Sequence, residues 1–251
     1  MAFNPRRKYY FSFFLVLIQF ANGNCQSPYQ LKPPGEFVVS GASAGLSLTG
    51  FLLSENKHKL TVDEIRNLSS ERLNKFDRPA INQYSIPAAR TSDVLMMASL
   101  AAPFALLLDR NILDRGWESG VIYFETIAVA SLGINISKGI FSRPRPYVYN
   151  PEVQVGEKQK TDATNSFFSG HTAISAASTF FAAKIFSDYH PGSEWNSAVW
   201  VGAAAIPLAT GFYRYRAGKH FPTDIIAGYC WGALSGIVIP QLHRKKSETG
   251  N

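Results

Sequence analysis

Residues 120–141 read GVIYFETIAVASLGINISKGIF. The run contains no proline, is far longer than the usual strand, and shows no alternation of period two. It therefore reads as a helix. Four further runs share its length and its lack of alternation: 93–109 (DVLMMASLAAPFALLLD), 171–186 (HTAISAASTFFAAKIF), 197–213 (SAVWVGAAAIPLATGFY) and 224–240 (DIIAGYCWGALSGIVIP). An earlier stretch, 37–53 (FVVSGASAGLSLTGFLL), is apolar and rich in small residues, and its Gly41-x-x-x-Gly45 step suits close helix packing. The expected fold is all-α, a bundle of about six apolar helices. Each is roughly 16 to 20 residues, the short end for crossing a bilayer. Mean hydropathy is near zero, yet gaps in charge this long favour a membrane-embedded bundle. Glu125, mid-helix, is expected to be a buried hydrogen-bonding group.

The chain has 251 residues and a net charge of +7. A basic balance suits anionic partners. The cations are scattered without a nucleic-acid type of run, so a nucleic-acid partner is not expected. The cluster HRKK at 243–246 follows an apolar helix, which is a juxtamembrane pattern. The two cysteines, Cys25 and Cys230, form no metal spacing and no disulfide framework. The N-terminus, MAFNPRRKYY followed by FSFFLVLIQF and ANGNCQ, reads as a signal peptide or N-terminal anchor over 1–24. The remainder divides into an N-terminal helix and polar helical connector (25–92), a core (93–243) and a basic polar tail (244–251). Within the connector, Thr61 with Glu64 fits a capping box, and Ser70 is a candidate cap for the next helix.

Polar residues in the apolar half gather in three stretches: KGIFSRPRP (138–146), SGH (169–171) and YRYRAGKHFPTD (213–224). The first ends one helix, the second begins the next, and the third joins the last two. With antiparallel neighbours all three reach the same end of the bundle. Lys138, Arg145 and Arg214 suit an oxyanion, since guanidinium grips two oxygens at once. Ser169 and Gly170 lie at a helix start, where backbone N–H groups and the helix dipole favour an anion. His220 and Asp224 are one helical turn apart. A carboxylate hydrogen-bonded to one ring nitrogen would fix the tautomer and leave the other as nucleophile toward phosphorus. His171 would then protonate the leaving oxygen. The 26-residue polar segment 143–168 between two apolar runs is either a lid over this site or a solvated connector.

These stretches resemble the three-part signature of the type 2 phosphatidic acid phosphatase (PAP2) and haloperoxidase superfamily. Lys138 to Arg145 has six residues between, with Pro146 following; Arg214 to His220 has five; His220 to Asp224 has three. The resemblance spans roughly 93–240. It implies His220 as the nucleophile that forms a phosphohistidine, Asp224 as its partner and His171 as the acid. It implies Lys138, Arg145, Arg214, Ser169 and Gly170 as the phosphate grip, with Arg143, in a second Arg-Pro, as an accessory. Phe168 and Tyr213 depart from the usual Pro and Ser.

The implied activity is a metal-independent phosphatase without cofactor, acting on phosphatidate, phosphatidylglycerophosphate, polyprenyl diphosphate or lipid A type substrates. A soluble secreted acid phosphatase and a vanadate-dependent haloperoxidase are the alternatives. By the positive-inside rule HRKK lies in the cytoplasm and the catalytic face outside it (periplasmic in a bacterium). A cleaved leader followed by a full crossing of 37–53 would invert that.

Overall fold

The structure is a computed structural model that describes residues 27–32 and 34–245. The leader expected over 1–24, Cys25 and the tail residues 246–251 lie outside the described residues. Six long helices run through the described chain: α1 (Gly35–Glu55), α2 (Ile86–Ala101), α3 (Gly116–Ile140), α4 (Gly170–Tyr189), α5 (Asn196–Arg216) and α6 (Pro222–His243). Extended pairing among the described residues is confined to two isolated bridges. The fold is all-α, as the long apolar runs require.

α2 begins seven residues before the apolar run that announced it. The Ser85 hydroxyl accepts from the Ala88 amide at 3.3 Å, and Pro87 sits in the first turn, where its missing N–H costs nothing. The expected boundary at 92/93 therefore falls inside a helix. A 3₁₀ continuation, Ala102–Leu108, carries the chain onward.

α4 is the central helix, packed against α2, α3, α5 and α6. Its contact with α6 is close because α6 presents Gly228, Gly232 and Gly236 on one stripe. A Cβ at Gly232 would stand 2.1 Å from the Ala173 carbonyl oxygen. This is the small-residue packing expected where apolar surroundings offer helices no hydrophobic drive to associate. α1 lies along α3 in parallel, with Asn135 donating to Ser47 at 2.7 Å. Its close approach is at Gly50, whose Cβ would meet the Asn135 backbone at 2.5 Å. Gly41 and Gly45, the step expected to pack, have nothing within 4 Å of that position.

Successive helices alternate in direction between two ends, so α1 runs parallel to α3 and α4 parallel to α6. One end, the site end, gathers the three polar stretches. It is covered by residues 56–85 and 141–169, whose apolar side chains meet in a small core of Tyr147, Val148, Val153 and Ala163 against Leu60, Ile65 and Leu68. The Thr61–Glu64 capping box is present, and Ser69 rather than Ser70 caps the following 3₁₀ turn. The segment 143–168 is thus a folded cover with three short helices, fixed to residues 57–84. At the far end, Tyr29 forms a bridge with Arg244, and Lys245 donates to the Pro28 carbonyl at 2.9 Å.

Ile86–Leu108, Gly116–Ile140 and Pro222–His243 are long and apolar enough to cross a membrane. Large apolar side chains remain exposed along the long helices, among them Phe51, Phe124, Leu208, Phe212, Leu234 and Leu242. A soluble monomer rarely leaves an apolar belt of this kind in water; a bilayer accounts for it.

Candidate active site

His220 stands in the short turn between α5 and α6 and is 1% exposed. The turn is tight because Gly218 adopts φ of +67°, and a Cβ there would lie 2.1 Å from the Gln83 carbonyl oxygen; only glycine meets both conditions. The His220 ring is fixed through Nδ1, 2.7 Å from the Ser166 carbonyl oxygen. A carbonyl only accepts, so Nδ1 carries the proton and Nε2 keeps its lone pair. Burial first, then the charges of Arg145, Arg214 and Lys138, hold the ring well below the ordinary histidine pKa. His220 is therefore neutral at physiological pH and presents an unprotonated nitrogen.

The carboxylate expected to hold this ring does not touch it at hydrogen-bond distance. Asp224 Oδ2 is 3.9 Å from His220 Nδ1. It instead accepts from the Ser166 hydroxyl at 2.6 Å and from the Phe221 amide at 2.9 Å. Asp224 thus grips the residue whose carbonyl receives the histidine and the residue that follows the histidine. Its effect on the imidazole passes through the backbone on both sides.

Arg143, the expected accessory grip, is committed elsewhere. Its guanidinium pairs with Asp224 and with Asp77 (2.7 Å), bonds the Thr223 hydroxyl at 3.0 Å and lies 4.3 Å over the Phe221 ring. Asp77 also accepts from the Thr223 hydroxyl at 2.6 Å and the Thr223 amide at 3.0 Å. Burial alone would raise the Asp77 pKa, but these bonds and those from Arg143 and Asn74 together hold it below the usual carboxylate value. The Arg143–Asp77–Asp224 set is a clamp that fixes the start of α6 to the cover. A buried pair of this kind costs several kcal/mol if one partner is removed.

The other cations are differently placed. Lys138, in the last turn of α3, makes no hydrogen bond or ion pair among the described residues. Its Nζ lies 3.3 Å from where a Cβ on Gly170 would stand, so a glycine at the start of α4 leaves the ammonium its place. Arg145 is 6% exposed and meets the more exposed Asp162 at 3.2 Å. Arg214 is equally buried, and its Nε has no partner among the described residues. Buried donors without protein acceptors are costly unless another group takes their hydrogen bonds.

Ser169 and Gly170 do not act alike. The Ser169 hydroxyl caps α4 by accepting from the Thr172 amide at 3.4 Å, and its own amide donates to the Asp224 carbonyl at 3.0 Å. Ser169 is committed to holding the helix start. The amides of Gly170 and His171 lie in the first turn, where no intrahelical acceptor exists, and they are what this helix start offers an anion. Phe168, the departure from Pro, is 8% exposed and packs with Ile134 and Ala173, so the approach to α4 is fixed by apolar contact.

His171 Nε2 is 2.8 Å from Asp93 Oδ1, and the same oxygen lies 3.5 Å from Arg214 NH1. Sequence reasoning assigned Asp93 nothing. It also missed Asp77 and Ser166, which reach the site only through tertiary contact.

A family model described as the PAP2 superfamily matches residues 119–248. Among solved structures, a transmembrane PAP2 type phosphatidylglycerolphosphate phosphatase from Bacillus subtilis is similar at 18% identity over 94% of each chain, with a TM-score of 0.45. No curated protein matches.

Proposed function

The chain belongs to the PAP2 superfamily and is a phosphoric ester hydrolase; from that premise we propose that it cleaves phosphate monoesters of lipids, without metal, through a phosphohistidine on His220. The observation that carries the reading is the His220 Nδ1 contact with the Ser166 carbonyl, 2.7 Å, beside Lys138, Arg145 and Arg214, whose only carboxylate partners among the described residues are the more exposed Asp162 and Asp93. It leaves Nε2 as a lone-pair donor where positive charge is in excess.

The lone pair of Nε2 attacks phosphorus as the P–O bond to the lipid alcohol breaks. A proton from His171 goes to the departing oxygen. Lys138, Arg145, Arg214 and the first amides of α4 take the charge spread over the three remaining phosphoryl oxygens. Water then attacks the phosphohistidine, giving its proton to His171, and inorganic phosphate leaves with His220 restored. The apolar belt and the three membrane-length helices favour a lipid substrate over the small esters of a secreted enzyme.

The catalytic end faces away from the cytoplasm if the basic C-terminal segment obeys the positive-inside rule. Residues 27–31 share the far end with Arg244 and Lys245. Leader cleavage on the outer side and an external catalytic end therefore exclude each other. A reporter fused to the C-terminus decides between them, and cytoplasmic activity is expected.

Purified protein in detergent micelles, given a panel of lipid phosphates, tests the chemistry. The wild type is expected to release phosphate from at least one of them. His220→Ala is expected to lose the activity by on the order of 10⁴-fold or more. Phosphate release that survives in that variant would remove His220 as nucleophile.

A further inference from the structure

The site contains a carboxylate that no part of the signature supplies. Asp93 lies on α2, outside the residues that the superfamily matches, 119–248. One of its oxygens bridges His171 Nε2 (2.8 Å) and Arg214 NH1 (3.5 Å). The neighbouring Ser92 is buried, with its hydroxyl 3.4 Å from the same guanidinium nitrogen. One turn of α2 thus reaches both the proposed acid and a proposed phosphate grip.

We propose that Asp93 is the positioning residue for His171, holding Nε2–H so that Nδ1 is the nitrogen left to give a proton to the leaving oxygen. This rests on the phosphatase reading above. A carboxylate accepts only, so its contact with Nε2 requires the proton there. His171 Nδ1 has no partner among the described residues. A ring with Nε2–H tied to a carboxylate carries a proton on Nδ1 only as the imidazolium. Burial and then the Arg214 charge hold the His171 pKa down to about 4, and the Asp93 contact works against them. Asp93 therefore supplies the aim and opposes the loss of the charged form. In the step itself the Nδ1–H bond breaks, the proton joins the alkoxide released from phosphorus, and neutral His171 stays on Asp93 through Nε2–H.

Asp93 is also more than half exposed. An exposed ion pair adds little to stability, so the kinetic role can be separated from folding. The same oxygen neutralises part of Arg214. Removing its charge thus leaves the phosphate grip at least as positive as before, and KM is expected not to rise.

The test uses the full chain in detergent and two esters of the same phosphate. One has a long-chain alkyl leaving group, whose oxygen needs a proton to depart. The other is p-nitrophenyl phosphate, whose leaving oxygen does not. Asp93→Asn is expected to lower kcat/KM on the alkyl ester roughly 10- to 100-fold, a share of what a positioned acid contributes. On the aryl ester it is expected to stay within about threefold, and Asp93→Glu should recover most of the alkyl activity. Equal losses on both esters, or a change confined to KM, would overturn the proposal. His220→Asn in the same assay should lose both esters; if it keeps both, the phosphatase reading fails independently of Asp93.

Discussion

The two ends of the bundle treat charge in opposite ways. At the far end, Asp188 accepts from Tyr29 at 2.6 Å, pairs with Lys184, and meets Arg244 at 3.5 Å. His190 meets Asp109 at 2.7 Å, and His243 meets the buried Glu125 at 3.2 Å. Lys184 and Arg244 are neutralised where they stand. At the site end Lys138 has no hydrogen bond, Arg214 keeps an unpartnered Nε, and the carboxylates that could neutralise the cluster are either bound to Arg143 or more exposed at the rim. A network that serves only the fold closes its own charge. One that binds an anion must carry a surplus through folding and recover the cost on binding.

The contrast can be broken by exchanging the consequences of mutation between the ends. The largest effect is expected at the site end: Arg214→Ala should lower kcat/KM by roughly 10²- to 10³-fold, the loss typical of one preorganised charge donor. Its melting temperature should hold, since no closed network is opened. Arg214→Lys should recover little, because an ammonium lacks the planar fork.

Next in size is the far end. Asp188→Asn leaves Lys184 and Arg244 without their carboxylate and should cost about 3 kcal/mol of stability. This is measured by thermal unfolding in detergent, while kcat at low temperature stays within about twofold. A far-end variant that loses activity without losing stability would erase the distinction.

The smallest effect concerns pH. The His220 pKa is depressed in the folded state, by burial and by the surrounding cations. Below about pH 6.5 the unfolded chain takes up a proton there that the folded chain refuses. Stability should therefore fall as pH drops below that value, by up to about 1.4 kcal/mol per pH unit from this group. His220→Asn should flatten that slope by the same amount. A slope identical in wild type and variant would mean that the folded ring takes up a proton as readily as the unfolded one and is not held neutral by its surroundings.

Much of this was legible in the sequence for a physical reason. The long apolar runs admit little but helices, and antiparallel helices bring alternate connections to one end. Lys138, Arg145, His171, Arg214 and His220 lie in short stretches whose spacing is local, so residue numbers alone align them. What could not be read depends on contact between distant segments. Asp77 reaches Arg143 and Thr223 from the polar connector, and the Ser166 carbonyl takes the bond that spacing had suggested for Asp224. Asp93 was visible as a charge at the head of an apolar run, but its partners lie 78 and 121 residues away. The start of α2 was signalled by Ser85 and Pro87 and was obscured by the polar residues Arg90, Thr91 and Ser92.

The central claim is that a neutral, buried imidazole beside a partly compensated cluster of cations takes the phosphoryl group. His171→Ala, given p-nitrophenyl phosphate and quenched in alkali, tests it most directly. This variant can form the intermediate without an acid but lacks the base that helps water remove it. Mass spectrometry of its peptides should show one added phosphoryl group on His220, absent from the His171→Ala/His220→Asn double variant. A phosphoryl group on any other residue, or none while phosphate is still released, would contradict the account.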